Sequence, residues 1–120
     1  MAIAGIKVDN FEIKITEQLD KVKVQWLGRR ESRNPAEILN PYFDNMINQL
    51  NGKSITIDYT LLEFMNSSTV PPIIKFIKAC SLGGINTVVN YSKDLEWQNA
   101  SFKPLQTICM MLKNITVSAV

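Results

Sequence analysis

The chain has no histidine. That removes the commonest general base, the commonest metal ligand and any Ser-His or Cys-His nucleophile pair. Its only cysteines, Cys80 and Cys109, are too few for a thiolate zinc site. Both fall in apolar helical patterns and read as buried, reduced thiols. Charge of one sign is also missing: 13 Lys and Arg against 11 Asp and Glu leave +2, short of the basic bias of a dedicated nucleic-acid binder. No apolar run approaches transmembrane length, and Met1-Ala2-Ile3-Ala4-Gly5-Ile6-Lys7 lacks the basic start and apolar core of a secretory leader. Without secretion, the sequons at Asn66, Asn99 and Asn114 carry no meaning. There is no phosphate-cradling glycine loop, since Gly83-Gly84 reads as a helix stop, and the carboxylates are scattered rather than paired. We therefore expect a cytoplasmic, non-enzymatic protein with no metal, no cofactor and neither nucleic acid nor membrane among its partners.

What is present suits one globular domain over residues 1–120, with 46% hydrophobic and 20% charged residues. Phe11, Ile13 and Ile15 alternate with polar residues, and Val22, Val24 and Trp26 do so again. Such a pair predicts an antiparallel hairpin with one face partly wet. Gly28 is expected to end the second strand. The Arg29-Arg30-Glu31-Ser32-Arg33 run beyond it reads as a solvated loop in preference to a phosphate-seeking one. Asn34-Pro35 and Asn40-Pro41 each match an N-cap followed by proline, predicting a short helical turn and then a main helix over 41–50. A third strand is expected over 54–59, and a second helix carries Val70, Ile73, Ile74, Ile77 and Cys80 on its apolar face. Residues 85–91 predict a fourth strand, and 92–99 an irregular segment. A third helix is expected to be capped by Ser101, with Pro104 in its first turn, followed by a closing strand over 114–120. The order β-β-α-β-α-β-α-β implies an α/β layer structure, parallel after residue 50 with right-handed crossovers.

The chain is organised around residues 62–70, between the third strand and the second helix. Such a junction attracts anions through free N–H groups, and here it carries Ser67, Ser68 and Thr69 in a row. Pro71-Pro72 places the helix start close before them, with a cap at Ser68 or Thr69 and an irregular first turn. Plain capping explains these hydroxyls, and so does a phosphorylation site stabilised by the helix dipole. The pattern itself does not choose. Asp58 and Glu63 flank the loop, with Asp58 read as a solvent-facing strand residue. Trp97 reads as a cover for the core or as an aromatic anchor.

Residues 55–68, Ile-Thr-Ile-Asp-Tyr-Thr-Leu-Leu-Glu-Phe-Met-Asn-Ser-Ser, resemble the signature of STAS domains, the anti-sigma-factor-antagonist family. There a strand leads into a loop of Phe, an apolar residue, Asp, Ser, Ser or Thr, and Gly, which opens a helix. The resemblance is closest to a bacterial STAS-like branch with Asn-Ser-Ser or Asn-Thr-Ser in the loop and a Trp-Gln pair, here Trp97-Gln98. Asn66 stands in place of the usual Asp, and Thr69 in place of the usual Gly. The resemblance implies a STAS-like domain with a mixed central sheet and helices packed against it. It also implies partner switching: binding to a serine-kinase or anti-sigma-type protein, phosphorylation by that kinase and resetting by a PP2C-type phosphatase. Ser67 is then the phosphoacceptor, Ser68 the second choice, and the docking surface comprises Met65, Asn66, Ser68, Thr69, Val70, Lys75 and Lys78. A homo-oligomer is compatible with this reading. Two rivals stand beside it: a STAS-like scaffold that binds independently of phosphorylation, and a small-ligand or nucleotide-binding regulator.

Overall fold

A computed structural model describes residues 3–31 and 33–120. The parts of the sequence reading that fall on Met1, Ala2 and Ser32 lie outside those residues. The two alternating runs fold as the expected hairpin, β2 (Phe11–Gln18) against β3 (Lys21–Arg30), antiparallel with Ile13 opposite Trp26 and Ile15 opposite Val24. A short strand the sequence did not announce, β1 (Ile6–Val8), pairs antiparallel with β2 and forms an edge. Its three residues are too few to show a period.

The rest of the sheet is parallel: β4 (Ser54–Asp58) on β3, β6 (Thr87–Tyr91) on β4, and β7 (Ile115–Ala119) on β6. The order is β1-β2-β3-β4-β6-β7, with β5 (Leu62–Met65) beside the far end of β3. Period-two alternation sorts the two faces. Val22, Val24, Trp26, Ile55, Ile57, Tyr59, Val89 and Tyr91 are buried, whereas Lys23 and Val88 between them are exposed and Gln25, Thr56, Asp58 and Asn90 half-buried. One face is therefore core and the other wet, as the hairpin pattern predicted.

Among the described residues, three helices accompany the sheet: α1 (Ala36–Ile47), α2 (Val70–Leu82) and α3 (Glu96–Cys109). Aromatic rings tie them to it. Phe43 of α1 stacks on Phe76 of α2 at 4.5 Å and lies 6.0 Å from Trp26, while Phe102 of α3 stacks on Tyr59 at 4.6 Å and on Tyr91 at 5.6 Å.

Three predicted boundaries are corrected. The short turn and the helix over 41–50 are a single helix, α1, with Pro41 inside it, because burial of Leu39, Phe43 and Met46 on one side outweighs one missing N–H bond. Helix α3 starts at Glu96 rather than Ser101, so Trp97 and Gln98 sit in its first turn and Pro104 lies in its interior. Strand β3 does not stop at Gly28. Gly28 adopts φ 84°, and a Cβ there would collide with the Asn10 carbonyl oxygen, so glycine allows an irregularity through which the strand continues to Arg30.

Candidate functional site

The site begins with an element read as loop. Leu62-Glu63-Phe64-Met65 is strand β5, which extends the β4 side of β3 by pairing with Gly28, Arg29 and Arg30. Its burial pattern puts Leu62 and Met65 inside and Glu63 and Phe64 outside, with no alternation to betray it. The chain leaves β4 through a turn held by Asp58, whose Oδ1 accepts from the Thr60 amide at 2.9 Å and the Thr60 hydroxyl at 2.7 Å. Lys23 Nζ stands 3.9 Å from the other oxygen. Asp58 thus shapes the turn on the wet face.

Asn66 is the hinge between strand and helix. Its amide donates to the Arg30 carbonyl at 3.0 Å, continuing the β3–β5 pairing, and its backbone is extended at φ −77°, ψ 161°. Ser67–Thr69 then form one 3-10 turn leading straight into α2, the irregular first turn that Pro71-Pro72 led us to expect. The Thr69 amide bonds the Asn66 carbonyl at 3.0 Å, and the Val70 amide bonds the Ser67 carbonyl. Prolines 71 and 72 fall in the first turn of α2, where missing N–H groups cost nothing. Helix α2 thus starts where expected, with Thr69 at its N-cap position, and the 3-10 turn carries helical backbone one turn further back to Asn66. Thr69 is the residue preceding α2 but has helical angles, so Asn66 is where the extended backbone bends.

This geometry separates the three hydroxyls. The Thr69 side chain is fully buried, with its Oγ1 2.6 Å from Asn66 Oδ1, so it braces the turn from inside. Ser67 and Ser68 are exposed, and their amides precede the first intrahelical bond. The helix dipole places partial positive charge there.

Of the expected docking residues, Ser68, Lys75 and Lys78 are exposed, and Asn66 and Val70 half-buried. Two are corrected. Met65 is 7% exposed and belongs to the core, because β5 turns it toward the helix side of the sheet; Thr69 is 0% exposed for the reason just given. Their side chains are not available to a partner. The sequence reading missed Phe64 and Leu61, which are 36% and 54% exposed beside the loop. The Arg29 guanidinium lies 5.0 Å above the Phe64 ring and pairs with Glu31 at 2.9 Å. Arg30, read as part of a solvated loop, is instead buried at 3% exposure over the ring of Phe11, 5.1 Å away.

Behind the loop, Gln98 is wholly buried and satisfies three backbone groups. Its Nε2 donates to the carbonyls of Tyr59 at 2.6 Å and Leu62 at 2.9 Å, and its Oε1 accepts from the Ser92 amide at 2.7 Å. One side chain therefore ties α3 to the β4–β5 turn and to the end of β6. Trp97 is half-buried against the core. Both thiols are free and buried; burial pushes Cys80 up to about 11, opposed by the Thr87 hydroxyl, and pushes Cys109 upward as well. Thiols held in this form are poor nucleophiles.

A mixed sheet with one face under helices, and a strand–loop–helix junction at the end of its parallel strands, defines a STAS-like fold. Among solved structures the chain is similar to a serine-to-glutamate variant of RsbS from Moorella thermoacetica, with a TM-score of 0.59 and 16% identity. The match covers 90% of this chain and 86% of that one. At this identity the likeness carries the fold. No protein-family model and no curated protein matches the sequence. No helix among the described residues is long and apolar enough to cross a membrane.

Proposed function

We propose that the chain is a STAS-domain regulator of a partner-switching system, in which phosphorylation of Ser67 alters the binding of a cognate serine-kinase or anti-sigma-type partner. Ser68 is the second candidate acceptor, and a PP2C-type phosphatase resets the switch. The observation that carries this reading is the division of labour at residues 66–69. Thr69 and Asn66 hold the turn, leaving Ser67 and Ser68 exposed at a helix start and outside the turn's bracing pair. A hydroxyl that supports nothing can be modified without unfolding its surroundings.

A phosphate adds about −1.5 to −2 charges. On a chain of net charge +2 it cancels most of the surplus, and at a helix start the dipole stabilises it. The fold is kept while the face offered to a partner changes sign. Ser68, Val70, Lys75 and Lys78 supply that face in this reading, and exposed Phe64 and Leu61 replace Met65 as its apolar contacts. The likeness to RsbS supports the reading at the level of fold.

Incubation with the cognate kinase and ATP, followed by mapping of the modified residue, tests it. Phosphate on Ser67, absent from Ser67→Ala, is the expected result. If Ser67→Ala and Ser67→Asp bind the partner alike, the chain is a scaffold and the switch is wrong.

A further inference from the structure

Among the described residues, Arg30 is a buried cation that forms no ion pair. It ends β3 on the core side and is 3% exposed, and its Nε and Nη2 are enclosed with no hydrogen-bond partner. The ion pairs among the described residues, Lys23 with Asp58 and Arg29 with Glu31, do not include it. The Phe11 ring lies under the guanidinium at 5.1 Å, which favours the cation but offers no oxygen to five N–H donors. Burial lowers its basicity more than the Asp9 charge restores it. Protein interiors rarely leave a charge in this condition.

Arg30 also lines a cavity of about 320 Å³, together with Asp9, Asn10, Arg29, Glu31 and Ile38. That volume is at the lower end of the range for small-molecule sites. We propose that this cavity binds a small oxyanion, a carboxylate or phosphate group, which gives Arg30 the ion-pair partner it lacks. The two carboxylates at the cavity do not fill the role: Glu31 is committed to Arg29 at 2.9 Å, and Asp9 stands exposed on the β1–β2 turn without forming an ion pair. The site adjoins the candidate switch, because the Arg30 carbonyl accepts the Asn66 amide and Arg30 is in register with Met65. The binding itself does not depend on the phosphorylation reading.

Thermal unfolding and backbone-amide NMR titration of the full chain test the proposal, with chloride as background at constant ionic strength. One arm adds inorganic phosphate and the other sodium acetate. A saturable rise in Tm of roughly a few degrees is expected in at least one arm, with shifts centred on Asp9, Arg30 and Ile38. A response to phosphate alone assigns a phosphoryl ligand, and a response to acetate assigns a carboxylate. Arg30→Met should stay folded, be at least as stable as the parent without anion, and lose the response. Asp9→Asn should bind the anion roughly threefold or more tightly, because a repelling carboxylate is gone. If Arg30→Met does not fold, Arg30→Lys serves: it keeps the charge, loses the planar fork, and should bind roughly tenfold more weakly. No saturable response to either anion, an undiminished response in either Arg30 variant, or loss of anion-free stability in Asp9→Asn would overturn the site. The last result would make Asp9 the counter-ion.

Discussion

Thr69 and Gln98 are the side chains on which the loop's shape depends, and they act by different means. Thr69 bonds three residues back along the chain, whereas Gln98 reaches partners 36 and 39 residues away. Replacing Thr69 with Val keeps the volume but leaves Asn66 Oδ1 without that donor. We expect a loss of about 1–2 kcal/mol in urea unfolding, with the exposure of Ser67 unchanged. Gln98→Leu removes three bonds to buried or half-buried backbone groups and should cost about 2–4 kcal/mol by the same measurement. A change within a few tenths of a kcal/mol at either position would show that the bonds described here do not hold the loop. Neither role could be read from the sequence. Thr69 stood in a run of three equivalent hydroxyls, and Gln98 has no local pattern, since its partners are supplied by the fold.

At the scale of elements, the legible parts were those with a period and one wet face. The β2–β3 hairpin showed its alternation because Lys21, Lys23 and Gln25 face away from the core while Val22, Val24 and Trp26 face it. The parallel order of β4, β6 and β7 followed from the intervening helices. Strand β5 was hidden because four residues with both middle ones outward have no period, and this misplaced Met65 on the surface. The helix starts were misread because proline usually marks a first turn, while here Pro41 and Pro104 sit inside α1 and α3. Proline at position 41 removes the N–H that would bond the Glu37 carbonyl. Pro41→Ala should therefore stabilise the chain by about 1–2 kcal/mol, less than the full helix penalty because the unfolded chain gains freedom. A higher urea midpoint with an unchanged slope is the expected signature, and a lower midpoint would mean that α1 needs its irregularity.

Across the whole molecule, the same core that positions the loop also sets its response to alkali. Cys80 is raised from 9.0 to about 11 by burial, and Tyr59 well above its ordinary 10.0. In each case the folded state holds a proton that the unfolded chain releases. Their contribution is therefore fully present below pH 9 and is lost as pH climbs from 9 toward 11 for Cys80, and above 10 for Tyr59. Stability should fall across that window, and Cys80→Ala should flatten the first part of the fall in pH-dependent urea unfolding. An equal slope in the variant would remove Cys80 from the account.

The sheet, the turn and the near-neutral surface together leave Ser67 exposed, unbraced and seated at a helix start. Mass-spectrometric mapping of the protein after exposure to ATP and the kinase of the proposed switch measures the consequence most directly. The account predicts one phosphate on Ser67, with Ser68 as the secondary site. A chain unmodified at both serines, while still bound by that kinase, would contradict it.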